Sequence, residues 1–377
     1  MKIAIIGPAY PYRGGIALHT NLLYENFSKG HNVDIINYKR LYPKLIFPGK
    51  TQYEQSKKFS HIPSLRMLDF LAPRSWTKTA QYIISKNYDL VIIQFWQPFF
   101  SLLLSTITRM IKYRDNNIKI ISLCHNVAPH EGSPLDRVLT KFFFNAADGF
   151  LIQSRSVTSD LLKIVPRAPY EYNPHPLYNV FGKALESSRA RRKLDIKTDE
   201  PLVLYFGYIR NYKGLEYLIQ AYPQIHSKIG GKLLIIGEFY HNKQNYLDLI
   251  QESGVAEDIV VQDQYVPDDQ VNLYFSAADI LVLPYISATQ SGITQIALAY
   301  NLPCVVTNVG GLPEVVHDRK TGFVVEPKDS KAISKAVIEY FTSCDKHKIA
   351  KNISRERQKY SWQRMKNTLV KLYRKIN

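Results

Sequence analysis

Short, almost continuously apolar runs alternate with amphipathic stretches along this chain of 377 residues. Strands that are apolar on both faces need cover on both faces, as in a parallel sheet between layers of helices. The alternation therefore predicts βαβ units, and so an α/β chain with doubly wound parallel sheets. We predict the following strands: Lys2–Ile6, Val33–Asn37, Leu90–Gln94, Lys119–Cys124, Gly149–Gln153, Leu202–Phe206, Lys232–Ile236, Ile259–Gln262, Ile280–Leu283, Cys304–Thr307 and Phe323–Val325.

A polar, highly charged segment separates the strands into two groups. Residues 179–200 carry no strong strand signal, and their composition is typical of a connection between domains. The length also suits two domains with separate cores, because 45% of the residues are hydrophobic. We predict a Rossmann-like domain over residues 1–180, a linker over 181–200 and a second Rossmann-like domain over 201–360.

The chain is strongly basic, with 49 Lys and Arg, 32 Asp and Glu, and a net charge of +17. Such a charge attracts phosphate on a nucleotide, a nucleic acid or a membrane, and does not by itself separate these partners. The cations of residues 183–197 and 346–375 are spread over polar helices, and no nucleic-acid motif interleaves aromatic residues with them. We expect no nucleic-acid partner. A basic, aromatic-rich surface that includes residues 39–58 and Trp76 is a candidate for contact with anionic lipids.

The sequence disfavours secretion and a membrane span. The three cysteines are far apart, which indicates neither a disulfide framework nor a zinc site. The opening residues are typical of a buried strand rather than of a secretory signal. Gln94, Gln97 and Pro98 interrupt the apolar stretch 90–108, so a strand, a loop and a helix fit it better than a span. We predict a cytoplasmic protein, either free or held peripherally at the inner face of the membrane.

Ligands of doubly wound sheets bind beyond the carboxyl ends of the strands, so the residues after each strand are site candidates. After the first strand, Gly14 and Gly15 stand at a helix start, where a ligand can approach backbone N–H groups. The spacing is not that of a dinucleotide fingerprint, and an ordinary turn is the alternative.

A polar loop follows the predicted strand that ends at Cys124. It contains His125, Asn126, His130 and Glu131, a cluster that suits a sugar hydroxyl or a phosphate. The alternatives are a structural histidine and a metal site, and no second motif completes a metal site.

The second half begins in a similar way. A strand leads to Gly207, and Arg210 and Lys213 follow before a helix start. A guanidinium, an ammonium and free N–H groups suit a diphosphate, whereas a solvated basic turn is the plainer alternative. Further along, the loops Thr289-Gln290-Ser291-Gly292 and Gly310-Gly311-Leu312-Pro313-Glu314 precede two more helix starts; they are either further anion sites or tight turns.

In order and spacing these segments resemble retaining, nucleotide-sugar-dependent glycosyltransferases of family 4, which have the GT-B fold. The resemblance covers nearly the whole chain. It rests on Gly14-Gly15, the H-N-x-x-P-H loop at His125, Gly207 to Gly214, T-x-V-G-G-x-P-E-x-V at Thr307–Val316, T-G-F-V-V-E-P at Thr321–Pro327, and Tyr360-Ser361-Trp362. It implies two facing Rossmann-like domains with the active site in the cleft, and a last helix that joins residues 361–377 to the first, acceptor-side domain. It also implies transfer with retention, usually without a metal ion or other cofactor.

The resemblance also implies roles for individual residues. Arg210 and Lys213 would hold the donor diphosphate, and His125 would contact the donor sugar; these three form the expected catalytic set. The expected donor-binding residues are Gly14, Gly15, Gly207, Tyr265, Val266, Gln290, Ser291, Gly292, Gln295 and Glu314, with Tyr265 and Val266 in the loop that lies against the nucleotide base.

Two departures from the family pattern matter. The family usually carries two glutamates spaced E-x7-E, and here no carboxylate occurs between Asp279 and Glu314. An amide such as Gln290 or Gln295 can hydrogen-bond a hydroxyl but cannot act as a base. The pattern therefore favours a front-face mechanism, in which the leaving phosphate takes the acceptor proton, over a double displacement. The second departure is Tyr208, near which many members carry a first diphosphate arginine; we expect Arg210 to substitute for it.

We therefore expect a hexosyltransferase-type enzyme. It would move a sugar from a UDP-sugar or GDP-sugar donor to a glycan or lipid-linked acceptor in surface polysaccharide biosynthesis. The alternatives are a catalytically weak or inactive nucleotide-sugar-binding protein and a basic membrane-surface binding module.

Overall fold

The computed structural model describes all residues of the chain except 44–46, 48 and 128–133. The chain divides into two compact units. The first comprises Met1–His175 together with Ser361–Asn377, and the second comprises Pro176–Tyr360. Each unit is built on one parallel sheet with helices between its strands, so the α/β class predicted from the sequence is confirmed.

The first unit contains a seven-stranded parallel sheet. Its strands are β1 (Lys2–Ile6), β2 (Asn32–Arg40), β3 (Leu65–Asp69), β4 (Leu90–Phe95), β5 (Lys119–Cys124), β6 (Gly149–Ile152) and β7 (Tyr170–Tyr172). Their spatial order is β3-β2-β1-β4-β5-β6-β7. The strand order reverses between β1 and β4, and sheets of this kind bind ligands at that reversal, beyond the carboxyl ends of the strands.

The second unit repeats this plan with six parallel strands. They are β8 (Leu202–Phe206), β9 (Lys232–Ile236), β10 (Ile259–Gln262), β11 (Ile280–Leu283), β12 (Cys304–Thr307) and β13 (Gly322–Val325). The spatial order β10-β9-β8-β11-β12-β13 places the reversal between β8 and β11. The loops that follow β8 and β11 are therefore the expected ligand loops of this unit.

Helices connect most of the strands. They are α1 (Gly15–Phe27), α2 (Pro73–Ser85), α3 (Ser101–Arg114), α4 (Pro134–Phe144), α5 (Arg155–Ile164), α6 (Ser187–Lys193), α7 (Leu215–Ile229), α8 (Lys243–Glu252), α9 (Val271–Ala277), α10 (Gly292–Ala299), α11 (Leu312–Val315), α12 (Ser330–Thr342), α13 (Lys346–Glu356) and α14 (Trp362–Ile376). The last helix, α14, packs in the first unit against α1, β5, β6 and β7, where Met365, Leu369 and Leu372 are fully buried.

All strands that were predicted from apolar runs are present, whereas β3 and β7 were not predicted. Both lie at the edges of the first sheet. An edge strand is covered on fewer sides and tolerates polar residues. The sequences LRMLD and YEY consequently lack the apolar run that marks the inner strands.

Residues 181–200 belong to the second unit. Within this segment α6 packs against α9, and the Arg191 side chain is buried. Its guanidinium forms an ion pair with Asp279 at 2.8 Å and donates to the Ala277 carbonyl at 3.0 Å and to the Glu200 carbonyl at 2.7 Å. These bonds anchor the charged segment on the unit because they satisfy a cation that burial would otherwise penalise.

The apolar stretch 90–108 forms β4, a 3-10 turn over Pro98–Phe100 and the first part of α3, as predicted. Across the described residues, no helix is both long enough and apolar enough to cross a membrane. Trp76 is buried, and its Nε1–H donates to the Asp69 carbonyl at 2.9 Å. The expectation that Trp76 contacts lipids is therefore wrong, because its ring is part of the core.

Candidate functional site

The carboxyl end of β8 brings several predicted site residues together. Gly207 follows the strand with a φ of 115°, a conformation that favours glycine. A Cβ built on Gly207 would lie 3.2 Å from Lys213 Nζ and 3.6 Å from the side chain of Ile293, the second residue of α10. The turn after β8, the Lys213 ammonium and the start of α10 therefore meet at one point.

Lys213 has the character of an anion-binding side chain. It is 8% exposed, and its Nζ lies 5.2 Å from the centre of the Tyr285 ring. No described carboxylate forms an ion pair with it. Burial, and then the nearby charge of Arg210, lower the Lys213 pKa to about 7. A buried ammonium without a carboxylate is costly, and a bound anion would relieve that cost.

Arg210 contacts one ring of an aromatic group. Its guanidinium lies 4.6 Å from the centre of the Tyr240 ring, within the range of a cation–π contact. Tyr240 packs against Tyr208 at 4.8 Å, and Tyr208 stacks on Tyr265 at 6.1 Å. Tyr208, the departure noted in the sequence, thus belongs to the aromatic group beside Arg210, and Tyr265 reaches the same group. Val266, the neighbour of Tyr265, is buried.

Two glycines allow the neighbouring loops to pack backbone against backbone. Gly214 has a φ of 61°, and a Cβ there would lie 2.2 Å from the Pro284 carbonyl oxygen after β11. Gly310, which follows β12, has a φ of 52°, and a Cβ there would lie 1.7 Å from the Ala288 carbonyl oxygen. The loops after β8, β11 and β12 consequently form one surface that side chains at these two positions would push apart.

The start of α10 is organised by hydroxyl groups. Ser291 caps the helix, and its side chain accepts from the Ile293 N–H at 3.2 Å. The Tyr285 hydroxyl lies 3.3 Å from Ser291 Oγ. At Gly292, a Cβ would lie only 2.9 Å from the ring of Tyr178. Ser291 and Gly292 therefore shape the start of α10, the end of a helix that suits an anion in general.

Two glutamines were selected near this helix. Gln290 is half-buried in the loop before α10. Gln295 is 1% exposed, and its buried Oε1 has no hydrogen-bond partner among the described residues. A buried acceptor without a donor is unusual in a folded protein and marks a position where a ligand hydroxyl would be favourable.

Two glutamates of the second unit, Glu314 and Glu238, differ in burial and in the element that carries them. Glu314 lies in α11, half-buried, and its backbone carbonyl accepts from the Tyr360 hydroxyl at 3.3 Å. Glu238 follows β9 and is 1% exposed, and its carbonyl accepts from the Ile209 N–H at 3.0 Å. Sequence analysis did not select Glu238. The available signal was a Gly-Glu pair directly after an apolar strand, at the same edge of the sheet as Gly207.

The first unit holds a buried cluster of histidine and glutamine side chains around His19 of α1. The His19 ring lies 4.8 Å from the His125 ring, 5.3 Å from the His175 ring and 5.1 Å from the Trp362 ring. All these side chains are less than a tenth exposed. His125, selected from the sequence, is therefore one member of a group that α1, the end of β5, the segment after β7 and α14 assemble.

Two glutamines bridge this cluster. Gln94, in β4, lies with Oε1 2.5 Å from His125 Nε2 and with Nε2 3.4 Å from His19 Nδ1. The Gln153 amide lies 3.1 Å from His19 Nε2. A neutral imidazole has one donor and one acceptor, so Gln94 fixes His125 with its proton on Nε2. The Gln153 contact is made by its amide nitrogen Nε2, which donates, so His19 Nε2 accepts there when the ring proton is on Nδ1.

Burial keeps these histidines neutral. Desolvation, and then the neighbouring His175, lower the pKa of His125 to about 3. Desolvation, followed by His125 and His175, lowers the pKa of His19 well below its usual value. The His125 ring is therefore suited to hydrogen bonding at neutral pH and not to acting as a cationic acid.

The other residues predicted for a site in the first unit are two glycines at the start of α1 and two residues outside the described ranges. Gly14 precedes α1 with a φ of 100°, which favours glycine. Gly15 is exposed, and a Cβ there would meet no atom within 4 Å. His130 and Glu131 lie outside the described residues. Within the described ranges, no three or more His, Cys, Asp or Glu side chains are grouped so that they could hold a metal ion.

Comparison with known proteins agrees with this geometry. Residues 186–357 match the family model of Glycosyl transferases group 1. The uncharacterized glycosyltransferase MJ1607 of Methanocaldococcus jannaschii is 25% identical to this chain. The aligned region covers 99% of this chain and 98% of MJ1607. The N-acetyl-alpha-D-glucosaminyl L-malate synthase of Bacillus anthracis is 21% identical over 92% of this chain and 90% of its own.

Solved structures show the same fold. HepE of Anabaena, crystallised in complex with UDP, superposes with a TM-score of 0.77 and 16% identity, over 98% of this chain and all of its own. Each unit has the Rossmann strand order, so the fold is GT-B as predicted. The residues that match the group 1 glycosyltransferase model all lie in the second unit, and the fold of the chain is GT-B.

Proposed function

We propose that this protein transfers a sugar from a nucleoside-diphosphate sugar, a UDP-sugar or a GDP-sugar, to a hydroxyl of a glycan or lipid-linked acceptor, with retention of the anomeric configuration. The observation that carries the proposal is the environment of Lys213. A buried ammonium without a carboxylate partner among the described residues lies beside Arg210, Gly207 and the start of α10. These are the groups that would bind a diphosphate and stabilise the charge that develops when it leaves.

Neighbouring residues support a nucleotide rather than a simple phosphate. Tyr265 and Tyr208 offer aromatic surface beside Arg210 that would suit a base. Gln295 Oε1, which has no partner in the described part of the chain, would accept from a ribose hydroxyl. The crystallised HepE neighbour binds UDP, which favours testing UDP first.

We further propose a front-face reaction. The bond between the anomeric carbon and the leaving phosphate oxygen breaks, and the acceptor oxygen bonds to the same face of the sugar. The acceptor proton passes to the departing phosphate. No carboxylate occurs in the chain between Asp279 and Glu314, so the loop and helix that begin at Thr289 supply no carboxylate nucleophile for a covalent intermediate. The protein's contribution is then positioning by His125 and charge stabilisation by Arg210 and Lys213.

The proposal of a glycan or lipid-linked acceptor rests on the resemblance of the sequence motifs to those of family 4 glycosyltransferases. On the same basis we propose that the reaction belongs to surface polysaccharide biosynthesis. The Bacillus anthracis relative is named an L-malate synthase, so hydroxy acids belong in the acceptor screen beside glycans and lipid-linked glycans. No metal ion is included in the proposed reaction.

Nucleotide binding provides the first test. We expect UDP or GDP at millimolar concentration to raise the melting temperature, since a ligand at about 100 times its Kd adds about 2.7 kcal/mol. Arg210→Ala and Lys213→Ala should abolish the rise. Arg192→Ala and Lys193→Ala, exposed on α6, are the matched controls and should keep it.

Product analysis tests the stereochemistry. An α-linked product from an α-linked donor, measured by the anomeric proton coupling, would support retention, and a β-linked product would contradict it. Binding of UDP or GDP without turnover of any donor–acceptor pair would favour the inactive binding protein. A melting temperature that responds to neither nucleotide would contradict the donor assignment.

A further inference from the structure

Exposed apolar side chains are concentrated in the first unit. Nine of the ten large apolar residues that are exposed among the described residues belong to it. Three of them lie on α4: Leu135 is 62% exposed, Val138 63% and Phe142 43%. Their spacing of three and four residues puts them on one stripe of the helix, turned away from the buried Phe143 and Phe144.

A second stripe lies on the neighbouring helix α3. Leu102, Arg109 and Tyr113 repeat at helical spacing and are all exposed. The Arg109 guanidinium lies 4.6 Å from the centre of the Phe142 ring and donates to the Phe142 carbonyl at 3.1 Å. This contact joins the two stripes into one surface, which we call the α3–α4 face: Leu102, Arg109, Tyr113, Leu135, Val138 and Phe142.

The charges around this face are mostly positive. Arg137 and Lys141 are exposed on α4 at one edge of its apolar stripe, and Arg109 lies between the stripes. The helices α2, α3 and α4 contain seven cations and one carboxylate: Arg74, Lys78, Arg109, Lys112, Arg114, Arg137 and Lys141 against Asp136. By helical spacing Asp136 lies on the opposite flank of the apolar stripe from Arg137 and Lys141, about 100° around the helix from Leu135. An apolar centre with a cationic border complements a surface that is apolar inside and anionic at its rim.

We propose that the α3–α4 face is a docking surface for anionic lipid bilayers. Leu135, Val138 and Phe142 would enter the boundary between headgroups and acyl chains while Arg137 and Lys141 pair with lipid phosphates. A second copy of the chain fits less well, because a two-fold contact through this face would place Arg109, Arg137 and Lys141 against the same cations. The inference uses no residue of the proposed donor site and does not depend on the proposed reaction.

Vesicle cosedimentation tests this surface. We expect the full-length protein to bind vesicles with about 30 mol% phosphatidylglycerol at low salt, and to bind pure phosphatidylcholine vesicles at least about tenfold more weakly. The triple variant Leu135→Ser, Val138→Ser, Phe142→Ser and the double variant Arg137→Glu, Lys141→Glu should each lose at least about tenfold in binding. All of these positions are exposed, so the fold should tolerate the changes, and thermal melting checks this.

Matched variants elsewhere complete the test. Val260→Ser removes an exposed apolar side chain from the second unit, and Arg192→Glu with Lys193→Glu reverses two exposed charges on α6; both should bind vesicles as the wild type does. Absence of wild-type binding to phosphatidylglycerol at low salt would overturn the proposal. So would full binding by both α3–α4 variants. Self-association that the triple variant abolishes, without vesicle binding, would instead make the face an interface between copies.

Discussion

At the scale of single residues, Lys213 gives the expected nucleotide binding a characteristic pH dependence. Its pKa of about 7 means that most molecules carry the charge at pH 6 and few carry it at pH 8. Because a diphosphate needs the ammonium, the Kd for UDP should rise about tenfold across this interval. In Lys213→Arg the cation persists, and only the titration of the nucleotide phosphate should remain. Calorimetry at both pH values measures the difference; parallel profiles for the two proteins would contradict it.

Gln94 should control the protonation of His125. In Gln94→Glu a carboxylate faces the His125 ring and favours the imidazolium, so the pKa of His125 should rise from about 3 toward its ordinary range. Histidine NMR resonances followed over pH measure this shift. The isosteric Gln94→Met should leave the ring neutral, but it leaves His125 Nε2–H without its acceptor and should cost about 1–3 kcal/mol of stability. An unchanged pKa in Gln94→Glu would show that Gln94 does not set the state of the ring.

The sequence identified some of these residues and concealed others. Arg210 and Lys213 were accessible because both follow a recognisable strand, and position at a sheet edge is readable from the pattern. His19 and Gln153 were not, since their partnership requires α1 and β6 to meet at the end of β4. Gln94 attracted notice only as an interruption in an apolar run. Its role depends on the spatial order of strands, which spacing along the chain does not encode.

At the scale of elements, the glycine contacts between loops should be essential to the donor site. Gly310→Ala places a Cβ within 1.7 Å of the Ala288 carbonyl oxygen, so the loop before α10 must move. Gly254→Ala is the control, because Gly254 has a similar φ of 73° but open space around it. We expect about 1–2 kcal/mol of destabilisation in the control from backbone strain alone. Gly310→Ala should lose more and should also weaken UDP binding, measured by thermal shift. Equal losses in stability with intact binding would contradict this account.

Helices and strands were predictable from the sequence where burial on both faces gives them a continuous apolar sequence. Inner strands such as β5 and β8 are buried on both faces, and continuous apolar runs revealed them. The segment before β8 was interpreted as a linker because its charges are dense. In the structure Arg191 directs one of those charges inward to Asp279 and to backbone carbonyls. A buried cation that is satisfied by main-chain oxygens has no signature in the sequence.

At the scale of the whole molecule, the histidine cluster should make the first unit sensitive to acid. His19 and His125 have pKa values lowered by burial, so the unfolded chain binds more protons below pH 6.5 and stability falls as the pH falls. Each histidine should contribute about 1.4 kcal/mol per pH unit between pH 6.5 and its folded pKa. Trp76, Trp96 and Trp362 all belong to the first unit, so tryptophan fluorescence reports its unfolding. In His19→Gln the dependence of the unfolding free energy on pH should be smaller by the contribution of one histidine, about 1.4 kcal/mol per pH unit. An unchanged pH dependence would contradict the assignment.

The last residues of the chain, Ser361–Asn377, belong to the first unit. A substitution in this segment should therefore change the stability of the first unit and leave that of the second unit unchanged. Its core includes Leu369 of α14, fully buried in a helix that the chain supplies only after the second unit. Leu369→Ala should destabilise the first unit by about 2–5 kcal/mol, read from tryptophan fluorescence during urea unfolding. Asn367→Ala, exposed on the same helix, should change it little. UDP should still stabilise the second unit of Leu369→Ala, because the nucleotide groups proposed here lie in residues 176–360. Loss of nucleotide binding in this variant would show that the donor site depends on the first unit's core.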